Sequence, residues 1–219
     1  MENRKVYLDN SATTRVDPQV FETMKPYFCE FYGNPNSLHE WGREARVAVD
    51  KAREQVAGLI NAEPKDIIFT GGGSEGDNLA IKGTAWTLRN KGKHIITSAI
   101  EHHALLNTVK WLGRMGYDFT ILPVDKYGFV DPAELEKAIR PDTILASIMF
   151  ANNEIGTIEP VAELGAVCRK HGVLFHTDGV QAAGHININV RELPIDMMTM
   201  AAHKMYGPKG VGGLYVRRG

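Results

Sequence analysis

The sequence predicts an α/β fold, with a mostly parallel, seven-stranded sheet and helices on both faces. Two observations carry this. Short β-branched or apolar runs alternate with helical patterns along the chain, which is the rhythm of βαβ units. Runs such as Ile144–Phe150 are apolar with little alternation, as expected of strands covered on both faces. The first helical pattern is Gly42–Ile60, where Ala45, Val49, Ala52, Val56, Leu59 and Ile60 recur at helical spacing. Strands are then expected at Ile67–Thr70, His94–Ala99, Asp118–Val124, Thr143–Phe150, Val173–His176, Met197–Ala201 and Gly213–Val216. Helices are expected between them at Ser74–Lys91, Leu105–Met115, Pro132–Arg140 and Pro160–His171. Asp131 suits a cap, Pro132 a first helical position, and Glu134 completes a capping box. Pro160 also suits a first turn, and Gly172 a C-terminal stop.

The 219 residues correspond to one large domain or two small ones. Lys plus Arg is 25 against 26 for Asp plus Glu, which argues against a basic nucleic-acid-binding face and against an acidic disordered tail. No run is long and apolar enough for a membrane span, and the N-terminus lacks the apolar core of a signal peptide, so a cytoplasmic protein is expected. The two cysteines, Cys29 and Cys168, form no CxxC pair. Both read as inert thiols in helical runs.

In a parallel sheet, ligands bind beyond the carboxyl ends of the strands, and here those ends are polar. Ile67–Thr70 runs into Gly71-Gly72-Gly73-Ser74-Glu75-Gly76-Asp77-Asn78, a glycine-rich turn before a helix that is suited to cradling a phosphate. The plainer alternative is a tight strand–helix turn with Ser74 as N-cap. Glu101-His102-His103, Asn152-Asn153-Glu154, His176 with Asp178 and Gln181, and His203-Lys204 follow the later strands. Five polar strand ends would converge on one crevice. His102, His103, His176, Asp178 and His203 allow a metal site, although no HExxH spacing is present and adjacent His102 and His103 would face opposite sides of a strand.

Lys204 follows an apolar strand, a setting that lowers an amine's pKa and makes it a Schiff-base nucleophile. A snorkelling surface lysine is the alternative, and it describes Lys209 as well. Asp178 at a buried strand end calls for a cation. A lysine for an aldehyde, an aspartate for a ring nitrogen and a phosphate cup are together what pyridoxal phosphate (PLP) requires.

On these residues the chain resembles the cysteine desulfurases of the NifS/IscS type, fold-type I PLP enzymes of the class V aminotransferase group. The matching stretches are Tyr7 to Thr14, Gly33 to His39, Phe69 to Lys82, Glu101 to Ala104, Asn152 to Gly156, His176 to Gln181, and His203 to Arg218. The resemblance implies the following roles. Lys204 bonds the cofactor aldehyde and moves the Cα proton. Asp178 pairs with the pyridine nitrogen and Gln181 with the ring hydroxyl oxygen. His102 stacks on the ring and serves in acid–base steps. Gly73, Ser74 and His203 hold the phosphate, and Asn153 sits by the ring oxygen and the substrate carboxylate. L-cysteine would become L-alanine, with sulfur passed to a thiol as persulfide. A homodimer and an iron–sulfur scaffold or other sulfur-acceptor protein are the implied partners. Residues 1–15 are read as an N-terminal arm and 16–219 as the PLP-binding large domain. A selenocysteine lyase, a sulfinate desulfinase, another class V aminotransferase, or a non-catalytic half of a split enzyme are the alternatives.

Two departures from the family pattern stand out. Its Ser-x-His-Lys reads Ala201-Ala202-His203-Lys204 here, so one phosphate hydroxyl is absent and weaker cofactor retention is expected. The small domain and catalytic-cysteine loop of the family are expected beyond Gly219.

Overall fold

The computed structural model describes residues 4–218, so the first three residues of the expected arm and Gly219 lie outside it. The chain opens with α1 (Pro18–Met24), α2 (Pro26–Cys29) and the long α3 (Glu40–Leu59). Then follow β1 (Ile67–Thr70), α4 (Gly73–Thr87), β2 (His94–Ser98), α5 (His103–Arg114), β3 (Asp118–Leu122), α6 (Pro132–Ala138), β4 (Thr143–Ser147) and α7 (Val161–Lys170). The last strands are β5 (Leu174–Asp178), β6 (Met197–Ala201) and β7 (Gly212–Val216).

The seven strands form one sheet in the order β1-β7-β6-β5-β4-β2-β3. Pairing is parallel throughout except for β7, which runs antiparallel to both β1 and β6. Adjacent strand residues point to opposite faces, and each face has its own core. Ile95, Leu145 and Met197 pack with Ala80, Ile81 and Ala85 of α4 and with Leu105, Val109 and Leu112 of α5. Ile96, Ala146 and Met198 pack on the other side with Leu135 of α6 and Leu164 and Cys168 of α7. This two-sided burial is why the strand sequences lack alternation.

Several expected elements are shorter than their apolar runs. Thr143–Phe150 ends as strand at Ser147, where pairing with β2 stops, although the Ile148 and Phe150 amides still bond the His176 and Asp178 carbonyls of β5. Asp131 caps α6 by accepting from the Ala133 amide, but the capping box stays open because the Glu134 carboxylate pairs with Lys137 at 2.7 Å. Pro160 is the N-cap of α7 rather than its first residue. Gly172 takes the left-handed conformation (φ 65°) just past α7 and stops it as expected. Cys168 is buried, whereas Cys29 ends the short helix α2 and is exposed. Among the described residues no helix is long and apolar enough to cross a membrane.

Candidate active site

Sheet building reverses between β2 and β4, since β3 joins one side of β2 and β4 the other. Such a switch point opens a crevice at the carboxyl ends of the strands. A cavity of about 410 Å³ lies there. Gly73, Ser74, His102, Asn153, Asp178, Gln181, His203 and Lys204 all line it, so the sequence-predicted residues meet in one place. His103 and His176 are not among its lining residues. The His102–His103 pair lies at the start of α5, past the end of β2, so the opposite-faces argument for a strand does not apply. No group of three or more His, Cys, Asp or Glu side chains among the described residues is arranged to hold a metal.

Lys204 lies in a short 3-10 turn directly after β6. Its amine donates to the Ser11 carbonyl and, at 2.8 Å, to the Ala12 carbonyl. Burial pushes the amine below its usual range, while Asp178 and Asp9 pull the other way. Asp178 ends β5. Its Oδ1 accepts from the Val180 amide at 2.9 Å, and burial raises its pKa against the pull of that bond, His102 and Lys204. Gln181 Nε2 donates to the Ser11 carbonyl at 2.9 Å.

His102 is the N-cap of α5, its Nδ1 accepting from the Ala104 amide at 3.1 Å. That bond fixes the ring and leaves Nε2 as the nitrogen free for proton exchange. Asn153 stands on a turn held by Asn152, whose Oδ1 accepts from the Glu154 and Ile155 amides at 2.9 and 3.0 Å. The Asn153 amide itself donates to Glu154 Oε1 at 2.8 Å.

At the glycine-rich turn, α4 begins at Gly73 with Gly72 as N-cap, so Ser74 lies inside the first turn and is not the cap. A Cβ on Gly73 would come within 2.8 Å of Val180 Cγ2, so only glycine brings this helix end so close to the loop after β5. His203 Nδ1 lies 3.1 Å from the Thr13 hydroxyl, and the His203 carbonyl accepts from the Thr14 amide at 2.8 Å. A second hollow adjoins this helix end, lined by Thr13, Gly71 to Glu75, His203, Lys209 and Gly210. Lys209, read from the sequence as an ordinary surface lysine, therefore sits near the same turn.

The donor set fits PLP. A buried carboxylate with a single backbone donor suits a cationic ring nitrogen, a depressed amine suits the aldehyde, and a glycine-opened helix end suits the phosphate. The residues missed by the sequence reading are Asp77 and the backbone of Ser11 and Ala12. Asp77 lay within the glycine-rich run, and Ser11–Ala12 within a matching stretch. Neither carried a sign of its place: Asp77 buried beside His176, or Ser11 and Ala12 meeting Lys204 across almost the whole chain.

The aminotransferase class-V family model matches residues 6–219. A cysteine desulfurase IscS from Dictyoglomus turgidum is 56% identical over 216 residues, covering 99% of this chain and 55% of its own length. One from Methanosarcina thermophila is 55% identical over 218 residues, covering 100% of this chain and 54% of its own. The chain thus spans about half the length of the curated relatives it matches. A solved NifS-like protein superposes with a TM-score of 0.96 at 44% identity, over 99% of this chain and 60% of its own. A structure described as SspA in complex with cysteine gives 0.95 at 42%, over 97% and 61%.

Proposed function

Because the chain belongs to the class-V aminotransferase family, and relatives named cysteine desulfurase match it end to end, we propose that it is the PLP-holding part of a cysteine desulfurase. Enzymes of this family are PLP-dependent. The observation that carries the reading is the meeting of Lys204 and Asp178, from the ends of neighbouring strands, in one cavity beside the N-terminus of α4.

PLP, when bound, supplies an electron sink that eases loss of the substrate Cα proton. The remaining work falls to the chain's own side chains. Lys204 must be a free base to bond an aldehyde, and burial favours that form. Asp178 holds negative charge where the ring nitrogen would lie. His102, oriented by its cap bond, exchanges a proton at Nε2. The α4 amides with Ser74 and His203 bind the phosphate, and Asn153 and Gln181 fix the orientation of ring and substrate. The arm carbonyls of Ser11 and Ala12 hold the amine in place and close that side of the cavity.

The reaction transfers sulfur from L-cysteine to a thiol, giving L-alanine and a persulfide. Neither cysteine lines the cavity: Cys168 is buried and its thiol is pushed up to about 12 by burial, and Cys29 ends α2. The accepting thiol therefore comes from outside the described residues. The IscS name of the relatives supports an iron–sulfur scaffold or other acceptor protein as partner, with a homodimer as the working assembly. The SspA structure with cysteine supports L-cysteine as substrate.

The test is to load the chain with PLP and titrate in L-cysteine, D-cysteine and L-serine while recording the visible spectrum. Saturable change with L-cysteine at lower concentration than with the others is expected. Equal response to all three would contradict the substrate assignment.

A further inference from the structure

Behind the cavity lies a chain of buried polar groups that the proposed steps do not use. His176 and Thr199 lie on the face of the sheet that α4 covers. Thr199 is the β6 partner of Asp178, and His176 precedes Asp178 by two residues on β5, so all three point to one face. The helix comes very close here: a Cβ on Gly76 would lie 2.7 Å from Thr199 Cγ2. The next residue, Asp77, is 1% exposed and lies with its carboxyl beside Thr199 and His176. Thr199 Oγ1 lies 2.9 Å from His176 Nε2, and His176 Nδ1 lies 2.7 Å from Ser147 Oγ.

Asp77 Oδ1 is buried with no hydrogen-bond partner and lies 3.9 Å from His176 Nε2. A bare buried carboxylate oxygen is costly as an anion and tolerable as an acid. The charged and titratable groups facing Asp77 offer no cation. His176 is fully buried and pushed down to about 3, so its ring is neutral, while Asp178 and Glu101 are acids. Lys204 and His102 act on Asp178 instead. Two carboxyls facing one cavity do not both ionise readily, and Asp178 has the backbone donor and the cations.

We propose that Asp77 is a positioning residue for Asp178: held as a neutral acid by its burial against His176 and beside Asp178, it leaves Asp178 the one ionised carboxyl at the inner end of the cavity. Its relevance to catalysis rests on the cavity being the PLP site. The proton itself is readable without that reading.

The experiment is infrared spectroscopy of the full chain labelled with carboxyl-¹³C aspartate, with and without saturating PLP. A protonated-acid C=O band that moves with the label is expected in both states, lost in Asp77→Asn and kept in Asp178→Asn. PLP affinity should stay within about threefold in Asp77→Asn, which mimics the neutral acid, and fall about tenfold or more in Asp77→Ala. Absence of a labelled acid band in the wild-type chain, or its loss in Asp178→Asn, overturns the proposal. The wild-type and Asp178→Asn spectra decide even if the Asp77 variants fail to fold. Failure of the wild-type chain to take up PLP would strike the proposed function and leave the proton assignment standing on the band alone.

Discussion

Ala201 lines the cavity at the end of β6, about one methyl contact from where a Gly73 Cβ would stand. A serine there would add a hydroxyl to the phosphate side, and a hydrogen bond to a charged group contributes about 1.5–3 kcal/mol. Ala201→Ser is therefore expected to tighten PLP binding by about tenfold or more in an equilibrium titration. An unchanged constant would show that the phosphate lies elsewhere. The two thiols should also part company. Exposed Cys29 is expected to react with one equivalent of an aromatic disulfide in the native protein, and buried Cys168 only after unfolding. Rapid loss of both would contradict the packing of α7. At this scale the cavity residues were legible because strand ends in a parallel sheet mark a site. Asp77 was not, since a buried carboxyl in a helix leaves no periodic signature. The exposure of Cys29 was not legible either, because a helical run does not reveal which side is covered.

Helix α4 is where element and site meet. Its first turn faces the cavity and its later turns pack with α5 over Ile95 and Leu145. Close approach to β6 depends on Gly76. Gly76→Ala forces its new methyl against Thr199, and overpacking of this kind costs about 1–3 kcal/mol. A lower urea midpoint together with weaker PLP binding is expected. Unaltered values would mean that the helix end moves freely. Strand placement was readable because two-faced burial writes continuous apolar runs. Strand ends were less so: the run 143–150 keeps its apolar character after pairing with β2 stops, since Ile148 and Phe150 stay in the core. The open capping box at α6 has a similar cause. The Glu134–Lys137 ion pair competes for the carboxylate that the pattern assigned to the cap.

Across the whole molecule, buried ionisable groups set the pH dependence of stability. Glu101 is fully buried, accepts from Ser98 at 2.6 Å and from the Met149 amide at 2.8 Å, and is pushed by burial up to about 8. A raised acid binds its proton more tightly in the folded state, so its contribution is complete below the unfolded value near 4.5 and is lost as pH rises toward 8. His176, pushed down to about 3, has the opposite sign: its contribution is complete above 6.5 and is lost as pH falls. Between 4.5 and 6.5 the two slopes offset each other. Above that window Glu101 contributes a loss of up to about 1.4 kcal/mol per pH unit, and the raised Asp77 carboxyl has the same sign. Urea unfolding of the wild-type chain should therefore weaken between pH 6.5 and 8, and Glu101→Gln should make that loss shallower; parallel curves would refute the assignment. The topology explains why so much of the site was readable. One sheet, built outward from a switch point, gathers the ends of β2, β4, β5 and β6 in a single crevice. What stayed hidden was the return of residues 9–14 to Lys204 and His203, a contact between the two ends of the chain that no local pattern encodes.

The central claim is that Lys204 is the residue that captures PLP. Mixing the chain with PLP, reducing with borohydride and mapping the product by peptide mass spectrometry tests it most directly. The account predicts one pyridoxyl group per chain, on Lys204, with the visible absorption band lost in Lys204→Ala. Label spread over surface lysines, or a band undiminished in Lys204→Ala, would contradict it.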